Sequence, residues 1–279
     1  MTIFAKDIYS MSLHRQSPAL IEQGWIRALI LLAVYMVLSA IWGSYVWSPE
    51  LWFTASFVLS FLLVFLCRKI IDRRSFESLG FNFTHLYPDS LIGFTLGTFL
   101  VCTGALVLYY LDFVRWIDII YNPQDFIFTF GLLGMIAVSE ELIFRGYVLK
   151  NLMKSFNKWI ALSISAFLFT IVHYSNTGIP AIGVLNTLLG GLVLGIAYII
   201  TTSLWLPIFF HLSWNFLQGP ILGFRVSGLT FESIMSIEVK GHALLTGGEY
   251  GFEGSLICSV LLLLTFIAGC YLESQKTES

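Results

Sequence analysis

Eight apolar runs constrain this chain more than any other feature: residues 25–47, 51–66, 91–111, 126–149, 159–174, 182–200, 203–217 and 255–272. A helix needs about 20 such residues to cross a hydrocarbon core of about 30 Å. Composition agrees, since 57% of the residues are apolar before 23 glycines are added and only 11% are charged. A soluble domain carries roughly twice that charge density on its surface. The expected fold class is therefore all-α, a polytopic membrane protein of about eight transmembrane helices. A net charge of −2 leaves no electrostatic footprint for nucleic acid. The high hydrophobicity excludes intrinsic disorder.

The four cysteines, Cys67, Cys102, Cys258 and Cys270, lie in apolar segments with no C-x-x-C spacing. They read as small apolar fillers and not as a disulfide framework or a thiolate zinc site. Lys6, Asp7, Arg15 and Glu22 precede the first run without the compact basic-then-apolar layout of a cleavable signal, so the first span is expected to be retained.

Lys and Arg are retained on the cytoplasmic side of a membrane, which orients the spans. With the N-terminus inside, that side holds Lys6, Arg15, Arg27, Arg68, Lys69, Arg73, Arg74, Lys150, Lys154, Lys158 and Lys276. The outer side holds Arg115, Arg225 and Lys240. An even number of spans then places both termini in the cytoplasm, in a multi-pass protein of the plasma (inner) membrane. Trp25, Trp47, Trp116, Trp159, Tyr174 and Trp205 fall at run ends, as interfacial anchors do. No internal repeat or linker divides the chain, so residues 1–279 are expected to form one membrane domain with a helical core at about 126–219. The longest interruption, 218–254, is rich in Gly and acidic residues, suggesting tight turns and an ordered cap.

Nearly all the acidic residues lie in loops, tails or span ends, and the two exceptions, Glu140 and Glu141, are adjacent. A charge at the bilayer centre costs about 2.5–3.5 kcal/mol on insertion scales, so such groups need partners or a wet cavity. Helix geometry separates the two. Arg145 is the i+4 neighbour of Glu141, whereas Glu140 points about 100° away. Glu141 and Arg145 then read as a structural pair, with Glu140 left as a candidate base. His173 closes a run with Phe169 one turn earlier on its face, and His211 and Asn215 share one side of the helix that Pro207 helps to begin. Such an imidazole and amide can donate to a developing oxyanion or serve as helix glue. Together Glu140, His173, His211 and Asn215 suffice for water-mediated acyl hydrolysis.

Glu140-Glu141-x-x-x-Arg145, Phe169-x-x-x-His173 and His211-x-x-x-Asn215, in order on successive spans, resemble the three motifs of the CPBP intramembrane proteases, the CAAX prenyl protease type II and bacteriocin-processing family. Gly190-Gly191-Leu192-Val193-Leu194-Gly195 and the lead-in Leu204-Trp205-Leu206-Pro207-Ile208 resemble its bacterial branch. The resemblance implies a glutamate mechanism. Glu140 would activate water, His173 would orient it, His211 and Asn215 would stabilise the oxyanion, and Glu141, Arg145 and Phe169 would support the site. It implies no cofactor. A zinc ion held by Glu140, His173 and His211 is the alternative, although no H-E-x-x-H motif is present.

The expected partners are membrane lipid and a membrane-anchored protein or peptide substrate, either a CAAX-type tail or a bacteriocin-like peptide. Glu140 lies about ten residues, roughly 15 Å, before the basic stretch 150–158. The site is thus expected within the membrane towards the cytoplasmic side, with its cavity opening that way. The competing readings are a non-catalytic bacteriocin-immunity or membrane scaffold protein of the same fold, and a proton-coupled transporter using Glu140 and His173 as a relay. The transporter reading calls for an internal repeat that this sequence lacks.

Overall fold

The computed structural model describes residues 18–46 and 48–278. Lys6, Asp7 and Arg15 of the charge bias and the anchor Trp47 lie outside the described residues. The chain runs through α1 (Gly24–Gly43), α2 (Pro49–Leu66, prolonged by a π turn at Cys67–Ile71), α3 (Leu86–Tyr110), β1 (Val114–Ile119) and α4 (Pro123–Glu141). Helix α4 widens into π turns over Leu142–Leu149 and ends with Lys150–Leu152. There follow α5 (Lys158–His173), α6 (Ala181–Thr201), α7 (Trp205–Phe216, prolonged by a π turn at Leu217–Ile221), β2 (Met235–Val239) and α8 (Leu256–Glu278).

The protein is an all-α polytopic membrane protein. Among the described residues six helices are long and apolar enough to cross a bilayer, namely α1 to α4, α6 and α8. Helix α5 is apolar but has only 16 residues, and α7 has 12 before its π turn. These two short helices carry His173, His211 and Asn215.

Local chemistry sets the helix ends. Ser48 with Pro49, and Asn122 with Pro123, pair an N-cap acceptor with a proline whose missing N–H costs nothing there. The Asn157 side chain accepts from the backbone N–H of Trp159 at 3.1 Å and of Ile160 at 3.0 Å. Helix α7 does not stop at Gly219-Pro220 as its sequence suggests. Its last turn loosens into π geometry with Pro220 inside it.

Helices α3 and α7 pack closely along a glycine pair. A Cβ on Gly93 would stand 2.3 Å from the Leu206 carbonyl oxygen, and one on Gly97 would stand 2.2 Å from Ser213 Oγ. Only glycine admits a neighbouring backbone so near, as small-residue i,i+4 pairs do in membrane bundles.

One end of the bundle is locked by a buried polar hub. Asp72, after α2, accepts from Arg27 of α1 at 2.8 Å and from Arg68 of α2 at 2.6 Å. Tyr147 donates to it at 3.4 Å. Lys158 pairs with Glu273, Lys276 donates to the Ile200 carbonyl, and Leu204 N–H donates to the Gly80 carbonyl.

The other end carries the cap. Strand β1 pairs antiparallel with β2, and Trp116 donates to the Leu222 carbonyl at 3.1 Å, so this residue serves the cap and not a span end. Segment 218–254 is ordered around left-handed glycines. Gly251 has φ +95°, and a Cβ there would stand 2.0 Å from the Arg225 carbonyl oxygen. The four cysteines are free.

Candidate active site

Glu140 and Glu141 occupy the last α-helical positions of α4, immediately before its π turns. Such widened turns often occur at functional sites. The neighbouring side chains part company as helix geometry requires. Glu141 is 0% exposed and Glu140 is 26% exposed, facing a cavity.

Glu141 Oε1 accepts from Arg145 Nη1 at 2.8 Å. The same oxygen lies 2.9 Å from His211 Nδ1. An ionised carboxylate only accepts, so this partner assigns the proton to Nδ1 of His211. Glu141 therefore ties α4 to α7 as well as to Arg145. The i,i+4 pattern reveals only the Arg145 half, because the imidazole is 70 positions away.

Arg145 is also fixed in two other directions. Its Nη2 donates to the Gly191 carbonyl at 3.3 Å, and its guanidinium lies 4.5 Å from the Phe169 ring centroid. Phe169 meets Phe144 edge-on and lies 4.2 Å, centroid to centroid, from the His173 ring. A backbone bond completes the placement of His173, whose Nδ1 lies 2.8 Å from the Phe169 carbonyl oxygen. That oxygen can only accept, so Nδ1 again holds the hydrogen.

With both Nδ1 positions committed, both Nε2 atoms turn to Glu140. His173 Nε2 lies 3.5 Å and His211 Nε2 lies 3.9 Å from Glu140 Oε2. These separations exceed the usual hydrogen-bond range of about 2.7–3.2 Å, and Oε2 makes no hydrogen bond. Counting charge, Glu140 and Glu141 against Arg145 leave one negative charge. One proton shared among Glu140, His173 and His211 neutralises the cluster, which is the composition a proton-transfer site needs. Asn215, 6% exposed, lines the cavity one turn beyond His211.

Two imidazole nitrogens and a carboxylate oxygen are donor types that zinc accepts. A tetrahedron with bonds of about 2.0–2.2 Å has edges of about 3.3–3.6 Å, which the 3.5 Å spacing of His173 Nε2 from Glu140 Oε2 matches and the 3.9 Å spacing of His211 Nε2 exceeds. Among the described residues no group of three His, Cys, Asp or Glu has metal-holding geometry.

The cavity has a volume of about 670 Å³. Ile143, Phe144 and Phe169 form its floor, beneath which Leu142–Leu149 is buried throughout. Its loop-borne wall comes from Ser48, Ser175, Thr177, Ser227, Leu229 and Glu253. All six lie at the end opposite the basic loops, and among the described residues no Lys or Arg lines the cavity. The lining thus lies towards the end opposite 150–158, although Glu140 is nearer to that basic stretch along the helix.

Sequence reasoning also missed Glu253. Its Oε1 accepts from Trp214 Nε1 at 3.1 Å, and its Oε2 accepts from the backbone N–H and hydroxyl of Ser227 at 2.8 and 2.6 Å. Asn186, buried in α6, donates to the Glu253 and Ser255 carbonyls. The acidic, glycine-rich composition of 218–254 suggests a cap but does not say which carboxylate turns inward.

No curated protein and no solved structure matches the chain. Residues 122–217, a little over a third of its length, match the family profile described as Rce1-like, type II CAAX prenyl endopeptidase Rce1-like. That stretch contains Glu140, Glu141, Arg145, Phe169, His173, His211 and Asn215. Over α4 through α7 the chain is thus similar to the Rce1-like, type II CAAX prenyl endopeptidase family.

Proposed function

We propose that this protein is an intramembrane endopeptidase that hydrolyses a peptide bond of a membrane-associated substrate with water activated by Glu140. The family match supports a membrane-embedded protease of the CAAX type. The observation that carries the mechanism is the convergence of His173 Nε2 and His211 Nε2 on the unbonded Oε2 of Glu140 within a cavity. Glu140 takes a proton from water as the oxygen attacks the scissile carbonyl carbon. His173, fixed by the Phe169 carbonyl, holds that water against the carboxylate. The tetrahedral oxyanion accepts from His211, whose positive form Glu141 stabilises through Nδ1, and from the Asn215 amide. Breaking the C–N bond returns the proton from Glu140 to the leaving amine.

The test compares membrane proteomes of cells carrying the native chain and the Glu140→Gln variant at equal abundance. Uncut substrates accumulating only with the variant are expected. Identical proteomes, with any immunity phenotype retained, would favour the non-catalytic scaffold. Zinc held by Glu140, His173 and His211 would act as a Lewis acid on the same carbonyl. Activity surviving exhaustive chelation, with no stoichiometric zinc by elemental analysis, rejects that version.

A further inference from the structure

The site and the charge pattern of the loops belong to opposite ends of one molecule. At one end, contacts among Arg27, Asp72 and Arg68, between Trp25 N–H and Ser155, and between Lys158 and Glu273 bring together the start of α1, the end of α2, the loop after α4, the start of α5 and the end of α8. Nine described Lys and Arg residues belong to these segments: Arg27, Arg68, Lys69, Arg73, Arg74, Lys150, Lys154, Lys158 and Lys276. The other end holds Arg115, Arg225 and Lys240. Basic loops stay in the cytoplasm because translocating Lys and Arg is disfavoured. The cavity rim, at Ser48, Ser175, Thr177, Ser227 and Leu229, belongs wholly to the basic-poor end. Among the described residues the basic end is packed, with Tyr147, Val148, Leu149, Leu152, Leu79 and Leu204 buried there in one apolar cluster.

We infer that the cavity opens on the extracytoplasmic side, so that its substrates are juxtamembrane segments displayed on that face by membrane-anchored proteins or peptides, and not lipidated tails in the cytoplasm. The word "substrate" rests on the hydrolase reading above. The direction of the opening does not. An anchored chain whose span ends at the outer boundary projects its next residues towards the rim, and two carboxylates, Glu140 and Glu253, with no Lys or Arg among the described lining residues favour a neutral or basic segment.

Single cysteines at the rim (Ser175→Cys, Leu229→Cys) and at the basic end (Ser155→Cys) can be treated in sealed cells with a membrane-impermeant maleimide, using the native chain as baseline. All three positions are exposed. Both rim positions should take label without permeabilisation, and Ser155→Cys only after it. Two rim positions keep the test valid if one variant fails to accumulate. The reverse pattern overturns the inference and leaves the hydrolase reading intact. A second arm uses one single-span reporter carrying the same cleavable segment either outside or inside the membrane. Glu140-dependent cutting of the outer version alone is expected, and cutting of the inner version alone overturns the proposal. Outside labelling of the rim together with an unchanged Glu140→Gln proteome would overturn the hydrolase reading while keeping the direction of the cavity.

Discussion

Two carboxylates in this protein, Asp72 at the basic end of the bundle and Glu140 beside the cavity, meet opposite surroundings. Asp72 receives both arginines and Tyr147, and its side chain is fully buried. Glu140 faces a cavity with two imidazole nitrogens just beyond bonding distance and one oxygen making no hydrogen bond. The first is saturated, so its energy goes into holding α1, α2 and α4 together. The second keeps capacity for a water molecule and a proton. Burial alone does not mark a working carboxylate; unused bonding capacity beside a cavity does.

The contrast breaks most visibly in function. Glu140→Gln should lower turnover by about 10²–10⁴-fold while leaving the thermal transition in detergent almost unmoved, because no bond of the native fold is lost. Steady-state hydrolysis beside a thermal melt checks both halves. Asp72→Ala should do the converse, costing about 3–5 kcal/mol because Arg27 and Arg68 are left buried without their anion. Loss of accumulated protein and an earlier melt are the readouts.

Next in size, Gly97→Val drives a side chain into Ser213 Oγ and the Phe210 carbonyl, for about 1–3 kcal/mol of overpacking. Since this shifts α7, turnover should fall with stability, unlike Glu140→Gln. Trp214→Phe deletes the bond to Glu253 and trims a buried ring packed against Phe210 and Phe252, at about 1–3 kcal/mol. It should speed limited proteolysis within 218–254 before it alters the global melt.

The smallest effect is a pH dependence at the basic end. Partial burial beside Arg27 pushes Lys154 down to about 8 in the fold, below its ordinary value near 10.5. Between those values the unfolded chain holds more protons, so stability should rise with pH from about 8 to 10.5 and not below 8. Solvent screening keeps this rise to a fraction of a kcal/mol, and Lys154→Gln should flatten it.

How much of this was legible in the chain follows interaction range. The Glu141–Arg145 pair, the Phe169–His173 stack and the shared face of His211 and Asn215 are all i,i+4 relations, which helix periodicity exposes. The helix count is equally local, being written in apolar run lengths. The His211–Glu141 bond, the Asp72 hub and the inward turn of Glu253 join positions far apart in the chain, and no periodicity encodes them. The Gly93-x-x-x-Gly97 spacing is a readable signal for close helix approach, although it does not name α7 as the neighbour. The lining of the cavity is non-local in the same way, since Ser48, Ser175 and Ser227 come to it from three separate loops.

The inward turn of Glu253 also orders events during synthesis. Chains emerge N-terminus first, and domains acquire structure as their segments become available. Glu140, His173 and His211 are all made well before the ribosome reaches Glu253, whose position is fixed by Trp214, Ser227 and Asn186 and which lies just ahead of α8. A nascent chain stalled before that point holds Glu140, His173 and His211 without the wall that Glu253 supplies. Enclosure of the site coincides with the arrival of the last helix, so an incompletely inserted copy lacks the finished cavity.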